Sequence, residues 1–132
     1  MKNDKIAHIL TSASRIAVVG LSPKPARPSY QVAAYLVAAG YEVIPVNPGH
    51  SEILGAKCYP DLESIPVSVD IVDIFRKAVD VPPIVVSAIA IGAKVIWMQS
   101  GIVNVEAAEL AEEAGLKVVM DYCIKIAHSE LH

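Results

Sequence analysis

The sequence predicts an α/β domain, a doubly wound parallel sheet of five strands with helices on both faces. Three observations predict it. Five short runs rich in Val and Ile recur along the chain, each followed by a helical or polar stretch. The clearest run, residues 15–20 (RIAVVG), is apolar almost throughout rather than alternating, as in strands covered on both faces. The composition is 54% hydrophobic but only 5% aromatic, so the core must be built from Val, Ile, Ala and Leu. Strands alternating with helices through short connections close into right-handed parallel crossovers. With 132 residues the chain suits a single domain, its core expected over about residues 15–128.

The elements run in order along the chain. Residues 6–10 have short helical spacing and are expected to pack at the sheet edge, after which Ser12 and Ser14 loosen the chain. Residues 15–20 form the first strand. Residues 30–39 form a helix with Val32, Tyr35, Leu36 and Ala39 on one side, Ser29 placed to N-cap it and Gly40 to stop it. Residues 41–46 (YEVIPV) are the second strand; Pro45 removes a ladder donor, so it belongs near a strand end. After the turn at Asn47, Pro48 and Gly49, a loop runs to Pro60 and residues 61–65 are expected to make one helical turn.

Residues 69–75 (VDIVDIF) form the third strand, whose two aspartates predict an edge or a strand end. Asp80 is positioned to cap a helix with Pro82 and Pro83 in its first turn, ending at Gly92. Residues 94–98 (KVIWM) are the fourth strand, with Trp97 read as core. Asn104 caps a helix to Ala114, Glu106 lies in its first turn and Gly115 comes directly after it. Residues 117–120 are the fifth strand, and a short tail completes the chain.

Charge and composition exclude several classes. The net charge of −3 has the wrong sign for a general nucleic-acid binder. No apolar run approaches the roughly 20 residues of a membrane span, and the N-terminus has no secretory pattern. Cys58 and Cys123 form neither a CxxC pair nor a disulfide framework, which points to a reduced, cytoplasmic setting. The histidines show no metal-ligand spacing, and no HExxH, GxSxG or GxxxxGK[ST] motif occurs. No catalytic residues and no metal site are assigned. Asp121, Cys123 and His128 lie beyond the last strand, but a thiol without an assigned base is more often structural. The segment over residues 84–91 is apolar almost all round, pointing to burial against a partner such as a second copy in a homodimer.

Doubly wound sheets bind ligands outside the carboxyl ends of their strands, so the loops there carry the functional reading. The first loop departs from the GxGxxG dinucleotide fingerprint: Gly20 serves the turn, but Ser22 and Pro25 replace the later glycines. Ser22 offers a hydroxyl and an N–H to a phosphate, Lys24 and Arg27 offer charge, and the next helix start offers free N–H groups. A proline-rich surface loop with two solvated cations is the plainer alternative.

The second loop carries Asn47 and Pro48 where NAD folds usually place an acid for the ribose. An amide tolerates a nearby phosphate, although a plain Asn-Pro turn accounts for Asn47 equally well. At the third strand end a flat base can lie over Phe75 or the Arg76 guanidinium. Phe75 fits the core as well, and its cations fit a solvated rim. After the fourth strand Gln99 can hydrogen-bond an amide-bearing ligand, and Gly101 permits close approach of a ligand to backbone. The residues alone thus reach a phosphorylated nucleotide other than NAD.

The segments GLSPKPARPSY, VIPVNP, EILGAKCYPDLESIP, VDIVDIFRK, AIAIGAKVIWMQSGIVN and AAGLKVVMDYCIKIAH, in that order over about residues 15–128, resemble the small bacterial and archaeal CoA-binding proteins of the YccU type. Those are Rossmann-like domains similar to the CoA-binding domain of the succinyl-CoA synthetase alpha subunit. The resemblance implies a small-molecule ligand, coenzyme A or an acyl-CoA, with no established catalysis. By motif, Gly20, Ser22, Lys24 and Arg27 hold the phosphates, and Asn47 and Pro48 border the adenosine. Phe75 and Arg76 border the adenine or its ribose phosphate, and Gln99 and Gly101 lie along the pantetheine arm.

Ser100 stands where the family often has a bulky or acidic residue, and Tyr122 where it usually has arginine. The function expected is a non-catalytic carrier, sensor or regulatory module. The alternatives are a small nicotinamide oxidoreductase, the CoA-binding component of an acyl-CoA ligase-type enzyme, and a regulatory dimer with a vestigial pocket.

Overall fold

The computed structural model describes the backbone of residues 2–131 and the side chains of residues 4–131. Strands β1 (Arg15–Val19), β2 (Glu42–Val46), β5 (Ile71–Ile74), β6 (Val95–Met98) and β7 (Lys117–Val119) form one parallel sheet in the order β2-β1-β5-β6-β7. The chain steps from β1 outward to β2, then crosses back to β5 on the other side of β1. The order therefore reverses between β1 and β5, which makes their carboxyl ends the topological switch point.

Helices α1 (Lys2–Ser12), α2 (Pro28–Ala38) and α5 (Ile124–Ser129) cover one face, through a core that includes Ile9, Leu36, Trp97 and Ile124. Helices α3 (Val81–Ala90) and α4 (Val105–Glu113) cover the other, through Val85, Ala111, Val72 and Met98. Trp97 is fully buried, its indole N–H donating to the Tyr122 carbonyl at 2.7 Å. Ile6, Ile9 and Leu10 give α1 its apolar stripe.

Local chemistry explains where the structure departs from expectation. The third strand is central rather than an edge, and Asp73 lies within it, paired in register with Val18 and Trp97. Pro45 sits in β2, an edge strand, where a missing donor is tolerated. Beyond it Tyr59 donates to the Pro45 carbonyl and accepts from Asn47, covering part of that edge.

Between them lies an unexpected hairpin of β3 (Glu52–Ile53) and β4 (Ala56–Lys57), whose turn holds Leu54 and Gly55 at φ 55° and 72°. Two-residue strands carry no readable periodicity. No helix forms over residues 61–65. Asp61 Oδ1 instead accepts from the Ser64 N–H and hydroxyl at 2.9 and 2.6 Å, closing a turn.

Two expected caps are corrected. Helix α2 starts at Pro28, with Arg27 in the N-cap position, because proline's fixed φ suits the first helical residue. Ser29 is therefore inside the helix, buried, and caps nothing. Asp80 does occupy the N-cap of α3 but makes no side-chain cap bond. A capping carboxylate accepts from the second or third N–H, and those residues are Pro82 and Pro83, which have none. Asn104 caps α4 as expected, accepting from the Ala107 N–H at 2.9 Å. The expected tail is instead α5, whose Ile124 and Ala127 are buried against the sheet.

Candidate functional site

Gly20 is the crest of the switch point. It lies at φ 87°, a region costly for residues with a Cβ, and its N–H donates to the Val46 carbonyl at 2.9 Å. A Cβ there would stand 2.7 Å from the Phe75 carbonyl oxygen and 2.9 Å from Arg76 Cδ. The ends of β1, β2 and β5 are thus drawn together in a way only glycine allows.

The first loop organises itself before any ligand arrives. The Ser22 N–H, expected to face a phosphate, donates to Ser29 Oγ at 3.0 Å, and Ser22 Oγ accepts from the Lys24 N–H at 3.1 Å. Arg27 N–H donates to the Lys24 carbonyl at 3.0 Å. What this loop presents outward is the exposed side chains of Lys24 and Arg27, with Ser22 half-buried. Asn47 Nδ2 donates to the Leu21 carbonyl at 2.8 Å, stapling the second loop to the first. That bond gives the Asn47 amide a structural role in joining the two loops.

Two cavities flank the crest. One of about 360 Å³ opens on the α3 side, bordered by Gly20, Pro48, Leu62, Val79 and Ile84. The other, about 460 Å³, opens between α2 and α5 and is lined by Val32, Phe75, Gln99, Ile102, Cys123 and Ile126. Arg76 borders both, with its side chain exposed between them.

Of the residues expected from sequence, Gly20, Pro48, Phe75, Arg76 and Gln99 line these cavities. Ser22, Lys24, Arg27 and Asn47 stand in the adjoining loops. Gly101 is set apart: its N–H donates to Asp121 Oδ1 at 2.7 Å, so that backbone is already engaged. Gln99 is 5% exposed; its Oε1 accepts from the Ile124 N–H at 3.1 Å, and Nε2 has no hydrogen-bond partner among the described residues.

The apolar walls from Val32, Leu62, Ile102 and Ile126 were not among the expected residues. Val32 was expected only on one side of its helix and Leu62 only in a helical turn, and the six-residue α5 that carries Ile126 is too short to announce itself by periodicity.

Two groups near the site have shifted titration. Burial pushes the Asp73 carboxyl well above its ordinary range, and neither of its oxygens has a hydrogen-bond partner. Burial also raises the Cys58 thiol, which the bond from Sγ to the Asn47 carbonyl at 3.4 Å only partly offsets.

A parallel sheet whose order reverses at a glycine turn, with clefts on both sides and cations above, is the Rossmann-like class of ligand-binding domain. Within that class the chain belongs to the CoA-binding domain family, whose model matches residues 14–129.

It is 44% identical to the YneT protein of Bacillus subtilis (strain 168) over 125 residues, covering 95% of this chain and 93% of that one. It is 30% identical to the ADP-forming acetate–CoA ligase I of Archaeoglobus fulgidus over 126 residues; that match covers 88% of this chain but only 18% of the ligase. A solved protein from Pyrococcus horikoshii OT3 superposes with a TM-score of 0.96 at 44% identity, covering 99% of this chain and 92% of that chain. Among the described residues no helix is long and apolar enough to cross a membrane.

Proposed function

We propose that the protein binds coenzyme A across the β1/β5 switch point, as a non-catalytic carrier or sensor. The observation that carries this reading is Arg76, exposed and bordering both cavities, the first of which also reaches Gly20. CoA has the matching shape: an adenosine with a 3′-phosphate, a central diphosphate and a long amide-bearing arm. In this reading the diphosphate lies over Gly20, receiving charge-assisted bonds from Arg76, Arg27 and Lys24. The adenosine takes the α3-side cavity beside Pro48. The pantetheine arm enters the α2/α5 cavity, where the free Gln99 Nε2 donates to an amide carbonyl. Phe75 then borders the arm rather than the adenine, since it lines the second cavity.

Thermal melting tests this. CoA at 100 times its dissociation constant stabilises a one-site binder by about 2.7 kcal/mol. Dephospho-CoA is expected to give a smaller shift, and NADP a smaller one still. Arg76→Ala should weaken CoA about 10- to 100-fold, the worth of a charge-assisted bond. No shift with millimolar CoA sinks the proposal, and a larger shift with NADP than with CoA revives a nicotinamide enzyme. The likeness to an acetate–CoA ligase favours a second reading, in which this chain is the CoA-holding part of an activity completed by a partner chain. CoA-dependent co-purification of a nucleotide-binding partner is its expected signature.

A further inference from the structure

We propose that Cys123 is a thiol-exchange site that takes the pantetheine of CoA into a mixed disulfide within the α2/α5 cavity. This rests on the CoA reading above and adds a covalent step to it. Cys123 is a free thiol, half-buried, and it lines that cavity beside Phe75 and Ile126.

The second observation is independent of the thiol. Gln99, only 5% exposed, lines the same cavity with its Nε2 unpartnered among the described residues. Nε2 is not sealed from solvent, so its N–H groups stay open to a carbonyl brought by a ligand. Pantetheine brings amide carbonyls on an arm that ends in a thiol. Gln99 is also bonded to Ile124, the residue after Cys123, so an arm held by its amide is held next to that sulfur. Cys58, the other cysteine, is buried and lines neither cavity.

The reaction is exchange with CoA disulfide, which serves as both ligand and oxidant. The Cys123 thiolate attacks the sulfur of the bound half. The CoA–CoA sulfur bond breaks as the Cys123–CoA bond forms, and the other half leaves as CoA thiolate, taking up the proton Cys123 lost. One thiol is oxidised and one half of the disulfide is reduced. Reduced CoA in excess runs the step backwards, which makes the mark reversible.

Intact-mass spectrometry of the whole protein, incubated with CoA disulfide and separately with glutathione disulfide, tests this. The expected result is a single CoA adduct, mapped to Cys123 by peptide analysis and removed by dithiothreitol. It should form at least about tenfold faster than the glutathione adduct, because the bound arm raises the local concentration of its sulfur. Cys123→Ser should not form it. Equal rates with both disulfides, or mapping to Cys58, overturn the proposal by showing only an accessible thiol. Absence of an adduct while reduced CoA still raises the melting temperature overturns it and leaves CoA binding standing. Absence of both effects removes the two proposals together.

Discussion

Asp70 and Asp73, three residues apart around one strand, have carboxyls shifted in opposite directions. Asp73 is fully buried in β5 without a hydrogen-bond donor, so it stays protonated where ordinary carboxyls ionise. Asp70 is partly buried, which raises its pKa. The N–H groups of Arg15 and Ser14, each at 2.9 Å, and Lys94 at 3.6 Å outweigh that and hold it below the ordinary value.

The linkage signs are opposite. For Asp73, above the unfolded value the unfolded chain loses its proton while the folded chain keeps it, so its contribution to stability falls as pH rises to the folded value. For Asp70 the contribution is complete above the unfolded value and is lost as pH falls through the folded one. Asp73→Asn is therefore expected to stabilise the fold near neutral pH, with the gain vanishing below about pH 4. Asp70→Asn should destabilise near neutrality and converge on the wild type in acid. Urea midpoints at two pH values check both, and a pH-independent difference in either variant refutes its assignment.

At the scale of elements, two helix starts that both carry a capping-type residue, Asp80 and Asn104, behave differently because of the residues just inside the cap. Asn104 both accepts from Ala107 and, through Nδ2, donates to the Ala78 carbonyl at 2.9 Å, joining α4 to the turn before α3. Asn104→Ala should cost about 1–2 kcal/mol in denaturant unfolding. Asp80→Ala, at a cap position facing prolines, should stay within about 0.5 kcal/mol of wild type. An equal loss in the two variants would contradict the hydrogen-bond assignment. The same reasoning covers Ser29: its position was legible, but Pro28 moved the helix start and turned its hydroxyl toward Ser22. The hairpin of β3 and β4 and the helix α5 were not legible, because two and six residues are too few for a period to recur and stand out from chance.

For the molecule as a whole, a chain of net charge −3 concentrates Lys24, Arg27 and Arg76 on one rim. These side chains are exposed, so their attraction for a phosphorylated ligand is screened by salt. The dissociation constant for CoA is expected to rise severalfold between low and physiological ionic strength in calorimetric titration; a salt-independent value would remove these cations from the binding reading.

The sequence by itself determined the parallel α/β class and the five short apolar runs that become the strands of the main sheet. Each of those rests on local periodicity and on glycine, proline and cap chemistry. Only the tertiary structure decided that the aspartate-bearing strand is central, that Arg76 borders two cavities, and that Gln99 bonds to Ile124 at the start of α5 and lines one cavity with Cys123. Strand order and the meeting of loops distant in sequence depend on how crossovers pack across the whole sheet, and no local pattern carries that information.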